Sequence, residues 1–263
     1  MGLSVILITK NEEANIKDCL ESVSFANEII VVDSQSSDQT VKIAQSLGAK
    51  VENTSDWPGF GPQKNRALNL ATQDWVLSID ADERVTPELK QEILAVIDSS
   101  SSTNCYAIPR LSWYCGRFMK HSGWYPDYVE RLFKRGSAKF SDHLVHERLL
   151  PTGPVKKLNH HFLHYSYRSF EQVLRKVDAY STASAKQSFE KGRQGSLPQA
   201  LLHGFWSFFK TYIRPMVLST RYKLRESVVV KSKFEAFTFT GILVSLVFWP
   251  LKYVVKTPDA EST

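Results

Sequence analysis

The sequence predicts an α/β protein built on a mostly parallel sheet with helices on both faces. Short apolar runs alternate along the chain with segments whose apolar residues recur at helical spacing. Three of the apolar runs end in polar side chains, namely Thr9, Asp33 and Asp80. Ligands of open α/β sheets bind outside the carboxyl ends of the strands. We therefore expect these three side chains along one edge of the sheet, where a nucleotide would lie.

The elements follow one another in a regular order. A helix capped by Asn11 follows the first strand, and Gly48 ends the second helix after Leu47. Thr86 caps a later helix that has Pro87 in its first turn. The third helix is predicted over Gln63–Ala71. Strands are predicted over Leu3–Thr9, Glu28–Asp33, Lys50–Asn53, Trp75–Asp80, Cys105–Leu111 and Tyr128–Phe133.

Two carboxylates one residue apart, Asp80 and Asp82, follow the fourth strand. Hard oxygen ligands suit Mg²⁺ or Mn²⁺, which commonly joins one or two carboxylates to the phosphates of a substrate. The alternative is that Asp80 ends a strand and Asp82 begins a turn, since turns favour Asp. The chain has neither a glycine-rich dinucleotide fingerprint nor a P-loop, which disfavours NAD and ATP sites of those types.

The charge is divided unequally along the chain. The net charge is +6 over 263 residues, but residues 1–155 hold 16 Lys and Arg against 20 Asp and Glu, whereas residues 156–256 hold 17 against 5. Basic surface attracts nucleic acid or anionic membrane, and a merely solvated basic face is the alternative. Three scattered cysteines indicate a reducing compartment, and the first residues do not resemble a signal peptide.

The basic part is predicted to be helical and to associate with a membrane. Residues 201–218 mix aromatic side chains with Lys210 and Arg214, as in a helix that lies in a membrane interface. Residues 237–251 are almost uncharged but short for a transmembrane span. A re-entrant or interfacial hairpin, a marginal transmembrane anchor around residues 234–255 and a buried core helix therefore all stay open. We predict two domains, residues 1–165 and residues 166–263.

Two further features allow more than one interpretation. The aromatic segment from Trp113 to Tyr125 is expected to line a sugar or lipid site or to be a patch of core. The histidines are compatible with a zinc cluster, although their spacing is not that of a zinc finger. Those histidines are His143, His146, His160, His161 and His164.

Four stretches in the first hundred residues together resemble the family 2 glycosyltransferases, which have the GT-A fold, a Rossmann-like sheet with helices on both faces. Three later stretches resemble a bacterial subgroup that includes lipopolysaccharide core β-1,4-glucosyltransferases. The four stretches are Ser4–Glu13, Ile30–Thr40, Gln63–Ala67 and Asp80–Glu83, and the later three are Trp124–Asp127, Arg131–Phe133 and Val145–Glu147.

The resemblance implies an inverting glycosyltransferase with a nucleotide-sugar donor, UDP-glucose in the subgroup, and a divalent metal ion, Mg²⁺ or Mn²⁺. By resemblance, Lys64 would lie near the base or the ribose. Asp80 would contact the ribose or the metal, and Asp82 would bind the metal. Three further residues, Thr9, Glu12 and Asp33, would hold the nucleoside.

The family also implies a catalytic base downstream of the strand at Arg131–Phe133. A base must approach from the side opposite the leaving group, so it cannot belong to the Asp80 and Asp82 pair. Glu147 is the best match, with Asp142 and Asp127 in reserve. His146 would orient the base or the acceptor.

We therefore expect a hexosyltransferase that acts on a lipid-linked saccharide, such as the lipopolysaccharide inner core, at the cytoplasmic face of the bacterial inner membrane. Transfer to another envelope polysaccharide or lipid carrier is an alternative. A sugar-phosphate nucleotidyltransferase, a receiver-type phospho-acceptor module and a non-enzymatic membrane adaptor are rival classes. Nucleic-acid binding is not expected, because the aromatic residues of the basic half alternate with long apolar runs.

Overall fold

A computed structural model describes residues 1–99, 102–114, 116–121, 124–141 and 147–167, together with eight single residues at 171, 174, 198, 202, 204–206 and 209. The chain divides into two compact units, Met1–Arg168 and Ser169–Thr263. The predicted helical, membrane-associating region, including the anchor around residues 234–255, lies almost wholly outside the described residues. No helix within the described part of the chain is both long and apolar enough to span a bilayer.

The first half of the main sheet is parallel, as predicted. Its four strands run in the spatial order β3-β2-β1-β4, and each pairs in parallel with its neighbours. These strands are β1 (Leu3–Thr9), β2 (Glu28–Asp33), β3 (Lys50–Asn53) and β4 (Trp75–Ser78). They alternate with the helices α1 (Glu13–Ser22), α2 (Thr40–Ser46) and α3 (Phe60–Leu70).

The second half of the sheet is mixed, which corrects the expectation of a mostly parallel sheet. The order continues from β4 through β8, β6, β12 and β5, where β8 is antiparallel to both β4 and β6 and β12 is parallel to β6. Strands β9 and β10 form a separate hairpin. The elements are β5 (Glu83–Val85), α4 (Pro87–Asp98), β6 (Cys105–Tyr114), β7 (Arg117–Phe118), β8 (Asp127–Lys134), β9 (Ala138–Phe140), β10 (Leu149–Pro151), β11 (Val155–Lys157) and β12 (Phe162–Tyr167).

Each face of the sheet carries its own hydrophobic core. Successive side chains of a strand point to opposite faces, so Val5 and Leu7 join one cluster while Ile6 joins the other. The first cluster receives buried residues of α1 and α4, and the second receives Ala67 of α3 and Phe140 of β9. Helices therefore cover both faces, as the apolar strands predicted.

Three predicted boundaries shift by a few residues. Asn11 is not a helix cap: it has φ +55° and its side chain accepts from Ser37 N, and α1 begins after Glu12. The helix α3 begins at Phe60 rather than Gln63, directly after Gly59 at φ +114°. The strand β4 ends at Ser78, two residues before Asp80. The cap at Thr86 is confirmed, since its hydroxyl accepts from Leu89 N at 3.2 Å.

Candidate active site

The carboxyl ends of β1 and β2 place two predicted nucleoside residues side by side. Thr9 and Asp33 are register partners on adjacent parallel strands, and Thr9 Oγ1 donates to Asp33 Oδ2 at 2.8 Å. Asp33 is fully buried and also accepts from Ser36 N at 2.7 Å and Ser36 Oγ at 2.6 Å. These bonds fix the carboxylate at the strand end where ligands of such sheets bind.

Glu12 lies in the loop that follows β1. Its backbone N–H donates to Thr40 Oγ1 at 2.8 Å, and its carboxylate accepts from Asn15 Nδ2 at 2.7 Å. The first bond ties the loop after β1 to the start of α2. Glu12 therefore lies beside the same sheet edge as Thr9 and Asp33.

Lys64 joins the Asp80 motif to the predicted base. Its Nζ lies 3.0 Å from Asp80 Oδ1 and 2.9 Å from Glu147 Oε1. The lysine side chain is only 6% exposed, and a buried charge is stable only when it is paired. The α3 helix thus brings together two carboxylates that stand 67 residues apart in the sequence.

Asp80 is also the first member of a network of alternating charges that ends at Asp127. Arg131 of β8 donates to Asp80 Oδ2 and also lies 3.2 Å from Glu83 Oε1. Arg110 of β6 lies 3.8 Å from Glu83 Oε1 and pairs with Asp127 Oδ2 at 2.5 Å. Asp127, one of the two reserve bases, is therefore held by Arg110.

The charges in this network shift the pKa values of Asp80 and Glu83. Burial alone would raise the pKa of Asp80, but the charges of Arg131 and Lys64 outweigh burial and hold that pKa well below its usual range. Burial raises the pKa of Glu83; Arg131 opposes the rise, and the Asp80 carboxylate adds to it. Asp80 is thus held ionised, whereas Glu83 depends on its cationic partners to carry a charge.

Asp82 lies in the turn between β4 and β5 and faces a histidine of β12. Asp82 Oδ2 is 3.4 Å from His164 Nε2, and His164 Nδ1 is 3.1 Å from Ser112 Oγ. The backbone carbonyl of Asp82 accepts from Tyr165 N at 2.8 Å, which ties this turn to β12. The geometry thus pairs a carboxylate with an imidazole next to the predicted metal motif.

The donor set around Asp82 fits a divalent ion that shares its coordination with a bound phosphate. Within the described ranges, no three carboxylate, imidazole or thiol groups gather closely enough to hold an ion. The two carboxylate oxygens of Asp80 pair with Lys64 and Arg131. The role of Asp80 as a second metal ligand stays a prediction. Mg²⁺ and Mn²⁺ take one or two carboxylates and complete their coordination with phosphate oxygens. Asp82, with His164 beside it, supplies such a partial set.

The zinc alternative does not agree with the histidines that the structure describes. His160 pairs with Glu92 at 2.9 Å, His161 contacts the Tyr125 ring, and His164 faces Asp82. His143 and His146 lie outside the described residues, as does the reserve base Asp142.

The aromatic segment forms a packed cluster close to the Asp82 turn. The ring centroids of Trp113 and Phe118 are 4.9 Å apart, and both rings contact Tyr165, the residue whose N–H reaches Asp82 O. All three side chains are partly buried. The cluster packs internally, as a patch of core would, and its role in lining a sugar or lipid site stays a prediction.

Sequence reasoning missed the roles of Arg131, Arg110 and His164. Arg131 lies in the Arg131–Phe133 stretch that resembles the bacterial subgroup, but its partners lie 48 and 51 residues earlier in the chain. The available signal was an arginine directly before the apolar pair Leu132 and Phe133 in a strand, because a charge that such a strand buries needs a partner. The sequence suggests His164 only as a member of a zinc cluster, whereas the structure places it beside Asp82.

The fold and the site together define an α/β enzyme with acidic side chains gathered at the carboxyl edge of a parallel sheet. The family model described as Glycosyl transferase family 2 matches residues 4–158, more than half of the chain. The chain belongs to this glycosyltransferase family, and it is an enzyme of that class. The nucleotidyltransferase, receiver and adaptor alternatives are thereby set aside.

Named relatives agree with this membership. The uncharacterized glycosyltransferase RT0209 of Rickettsia typhi is 34% identical over 80% of this chain and 76% of its own length. The lipopolysaccharide core biosynthesis glycosyltransferase LpsC of Rhizobium meliloti is 29% identical over 81% of this chain and 82% of its own length. Among solved structures, S. aureus TarS 1-349 in complex with UDP has a TM-score of 0.49 and 19% identity, covering 86% of this chain and 77% of that one.

Proposed function

We propose that the protein transfers a hexose, glucose in the first instance, from a UDP-sugar to a lipid-linked saccharide of the cell envelope, with inversion at the anomeric carbon. The observation that carries the proposal is the double ion pair of Lys64, which brings Glu147 to the Asp80 motif. The lipopolysaccharide core role named for the relative LpsC supports an inner-core acceptor.

The nucleoside is assigned to the edge formed by Thr9, Glu12 and Asp33, with Lys64 and Asp80 next to it. Asp82, with His164 beside it, is assigned to the divalent ion. When bound, that ion neutralises the negative charge that grows on the leaving diphosphate. Glu147, which pairs with Lys64, is assigned to the hydroxyl group of the acceptor.

The reaction follows from these positions. The acceptor hydroxyl oxygen attacks the anomeric carbon as the bond from that carbon to the β-phosphate oxygen breaks, and the nucleoside diphosphate leaves with the bonding electrons. Glu147 takes the hydroxyl proton as the new glycosidic bond forms. Because Lys64 holds Oε1 of Glu147, we assign proton transfer to Oε2.

The membrane part of the proposal rests on composition and on a few described side chains. Leu202, Phe205 and Trp206 are 68%, 65% and 60% exposed, and the surrounding sequence is strongly basic. Exposed aromatic and apolar side chains combined with basic residues favour an anionic bilayer surface. We propose that this part holds the enzyme at the cytoplasmic face of the inner membrane.

The direct test is a transfer assay with labelled UDP-glucose, Mn²⁺ and lipopolysaccharide truncated to its inner core. The wild type should label the lipid fraction with inverted configuration at the anomeric carbon, and Asp82→Ala should not. Asp98→Ala is the matched control, because Asp98 is an exposed carboxylate at the end of α4. Equal transfer by Asp82→Ala and Asp98→Ala would contradict the assignment of Asp82.

A truncation tests the membrane part separately. Removing residues 200–263 should move the protein from the floating vesicle fraction to the bottom of the gradient in a flotation assay with anionic vesicles. Flotation of the truncated protein equal to that of the full chain would contradict the role of this region.

A further inference from the structure

We propose that Asn65 is a positioning residue for the base Glu147, which it aligns through the backbone of the β9–β10 hairpin. The proposal rests on the function proposed above and deepens it, because it separates two roles within the Gln63–Ala67 stretch. Lys64 holds the head of the base, and Asn65 holds the hairpin that carries it.

Asn65 uses both ends of its side-chain amide on the backbone of one residue of β9, Phe140. Its Nδ2 donates to Phe140 O at 2.9 Å, and its Oδ1 accepts from Phe140 N at 2.9 Å. A side-chain amide that both donates and accepts has its orientation fixed. The residue therefore clamps the end of β9 onto α3.

The hairpin carries this constraint from Phe140 to the base. Ser141 N donates to Arg148 O at 2.9 Å, and Arg148 N donates to Ser141 Oγ at 3.0 Å. Glu147 immediately precedes Arg148, and its carboxylate accepts from Lys64 at 2.9 Å. The backbone and the head of the base are thus fastened to two consecutive residues of one helix.

Gly61 allows the hairpin to approach α3 this closely. It lies three and four residues before Lys64 and Asn65, so the three share one face of the helix. A methyl group on Gly61 would overlap Ser141 O and lie 3.5 Å from Glu147 Cβ. Alanine ordinarily favours a helix over glycine, so a penalty at this position reports the contact with the hairpin.

The consequence for catalysis follows from the need for alignment. A base that is displaced by about 1 Å loses on the order of 10²-fold in rate, whereas groups elsewhere in the site are unaffected. The nucleoside edge at Thr9 and Asp33 stands on β1 and β2, whereas the hydrogen bonds of the Asn65 amide go to β9. Loss of the clamp should therefore lower kcat and leave nucleotide affinity unchanged.

The experiment compares Asn65→Ala with Asn69→Ala, a change of the same residue type at an exposed position of the same helix. For each variant, kcat is measured by transfer to saturating acceptor, the Kd for UDP with Mn²⁺ by calorimetry, and folding by circular dichroism and Tm. Asn65→Ala should lose about 10- to 100-fold in kcat with the Kd for UDP within about twofold of wild type. Asn69→Ala should match the wild type in all three measurements.

Two further variants keep the test decisive if Asn65→Ala folds poorly. Gly61→Ala should reproduce the loss of kcat with unchanged UDP affinity, because the added methyl group pushes the same hairpin away from α3. Asn65→Asp should show a defect, relative to wild type, that shrinks as the pH falls. A protonated carboxyl group again presents one donor and one acceptor to Phe140, whereas the ionised form offers only acceptors.

The outcomes separate this proposal from the function on which it rests. Wild-type kcat in Asn65→Ala and Gly61→Ala, together with loss of transfer in Glu147→Gln, overturns the positioning role and leaves the function standing. Undiminished transfer by Glu147→Gln overturns the base assignment and the positioning role with it. A fall in UDP affinity that accounts for the whole activity loss of Asn65→Ala overturns the proposal in favour of a nucleotide contact.

Discussion

Arg131 is the residue whose removal should most strongly destabilise the catalytic unit. Its guanidinium is the shared partner of Asp80 and of Glu83, which is fully buried. Arg131→Met keeps an unbranched, flexible stem and removes the guanidinium charge. Asp80 then retains Lys64 at 3.0 Å, whereas Glu83 keeps the weaker attraction of Arg110 at 3.8 Å and of His164.

The magnitude follows from the burial of the orphaned charge. Breaking a buried ion pair by removing one partner costs roughly 3–5 kcal/mol. For a unit of this size, each kcal/mol lowers Tm by roughly 2–4 °C, so we expect a fall of about 6–20 °C at pH 8. Glu83→Gln in the Arg131→Met background should restore part of the loss, because the orphaned charge is then absent.

The pH dependence of the stability of Arg131→Met tests the same reasoning independently. Burial already raises the pKa of Glu83 above its ordinary value of 4.5, against the opposing charge of Arg131, and removing the arginine raises it further. A raised folded-state pKa means that the folded variant takes up a proton more readily than the unfolded chain and gains stability as the pH falls. The deficit of Arg131→Met should therefore be smaller at pH 5 than at pH 8.

The assay is thermal and urea unfolding at both pH values, with Arg135→Met as the control. Arg135 is exposed and donates to Gln73 O at 3.0 Å, so its replacement should cost less than about 1 kcal/mol. The reasoning is refuted if the two variants are equally stable at pH 8, or if the deficit of Arg131→Met is as large at pH 5.

Two further predictions concern groups away from the site. Glu28 accepts from Ser4 Oγ at 2.5 Å, from Thr72 N at 2.6 Å and from Lys50 Nζ at 3.0 Å; burial opposes these bonds, which together lower its pKa to about 2. The free energy of unfolding of the wild type should therefore fall by at most about 3 kcal/mol between about pH 4.5 and pH 2, and by less where water screens the carboxylate. The same acid titration of Glu28→Gln should lack this loss of stability. Burial raises the pKa of the Cys105 thiol to about 12, so mass spectrometry should find it unmodified by maleimide at pH 8 until urea unfolds the protein; modification of the native protein would contradict this.

The parallel half of the fold was predictable because its information is local. Each apolar run and its terminal polar residue can be identified within ten residues, and parallel pairing then requires Thr9 and Asp33 to meet at one edge. The cap at Thr86 was predictable for the same reason. Asn11 was assigned wrongly because residue type favours a cap there, whereas its side chain binds the loop after β2.

The rest of the site could not be predicted, because its contacts join distant parts of the chain. Lys64 meets Glu147 across 83 residues, and Arg131 meets Asp80 across 51. The first contact depends on the β9–β10 hairpin packing on α3. The second depends on β8 inserting antiparallel between β4 and β6, which strand alternation alone does not specify. The family resemblance predicted Glu147 as the base, but only the folded chain shows Lys64 beside it.

The central claim is that this sheet edge binds a nucleoside diphosphate together with a divalent ion at Asp82. The most direct measurement is a calorimetric titration of the purified protein with UDP, with and without Mn²⁺, for the wild type, Asp82→Ala and Asp98→Ala. We predict binding that depends on Mn²⁺ in the wild type and in Asp98→Ala, and its loss in Asp82→Ala. Absence of UDP binding by the wild type with Mn²⁺ present, or metal-dependent binding that survives in Asp82→Ala, would contradict the claim.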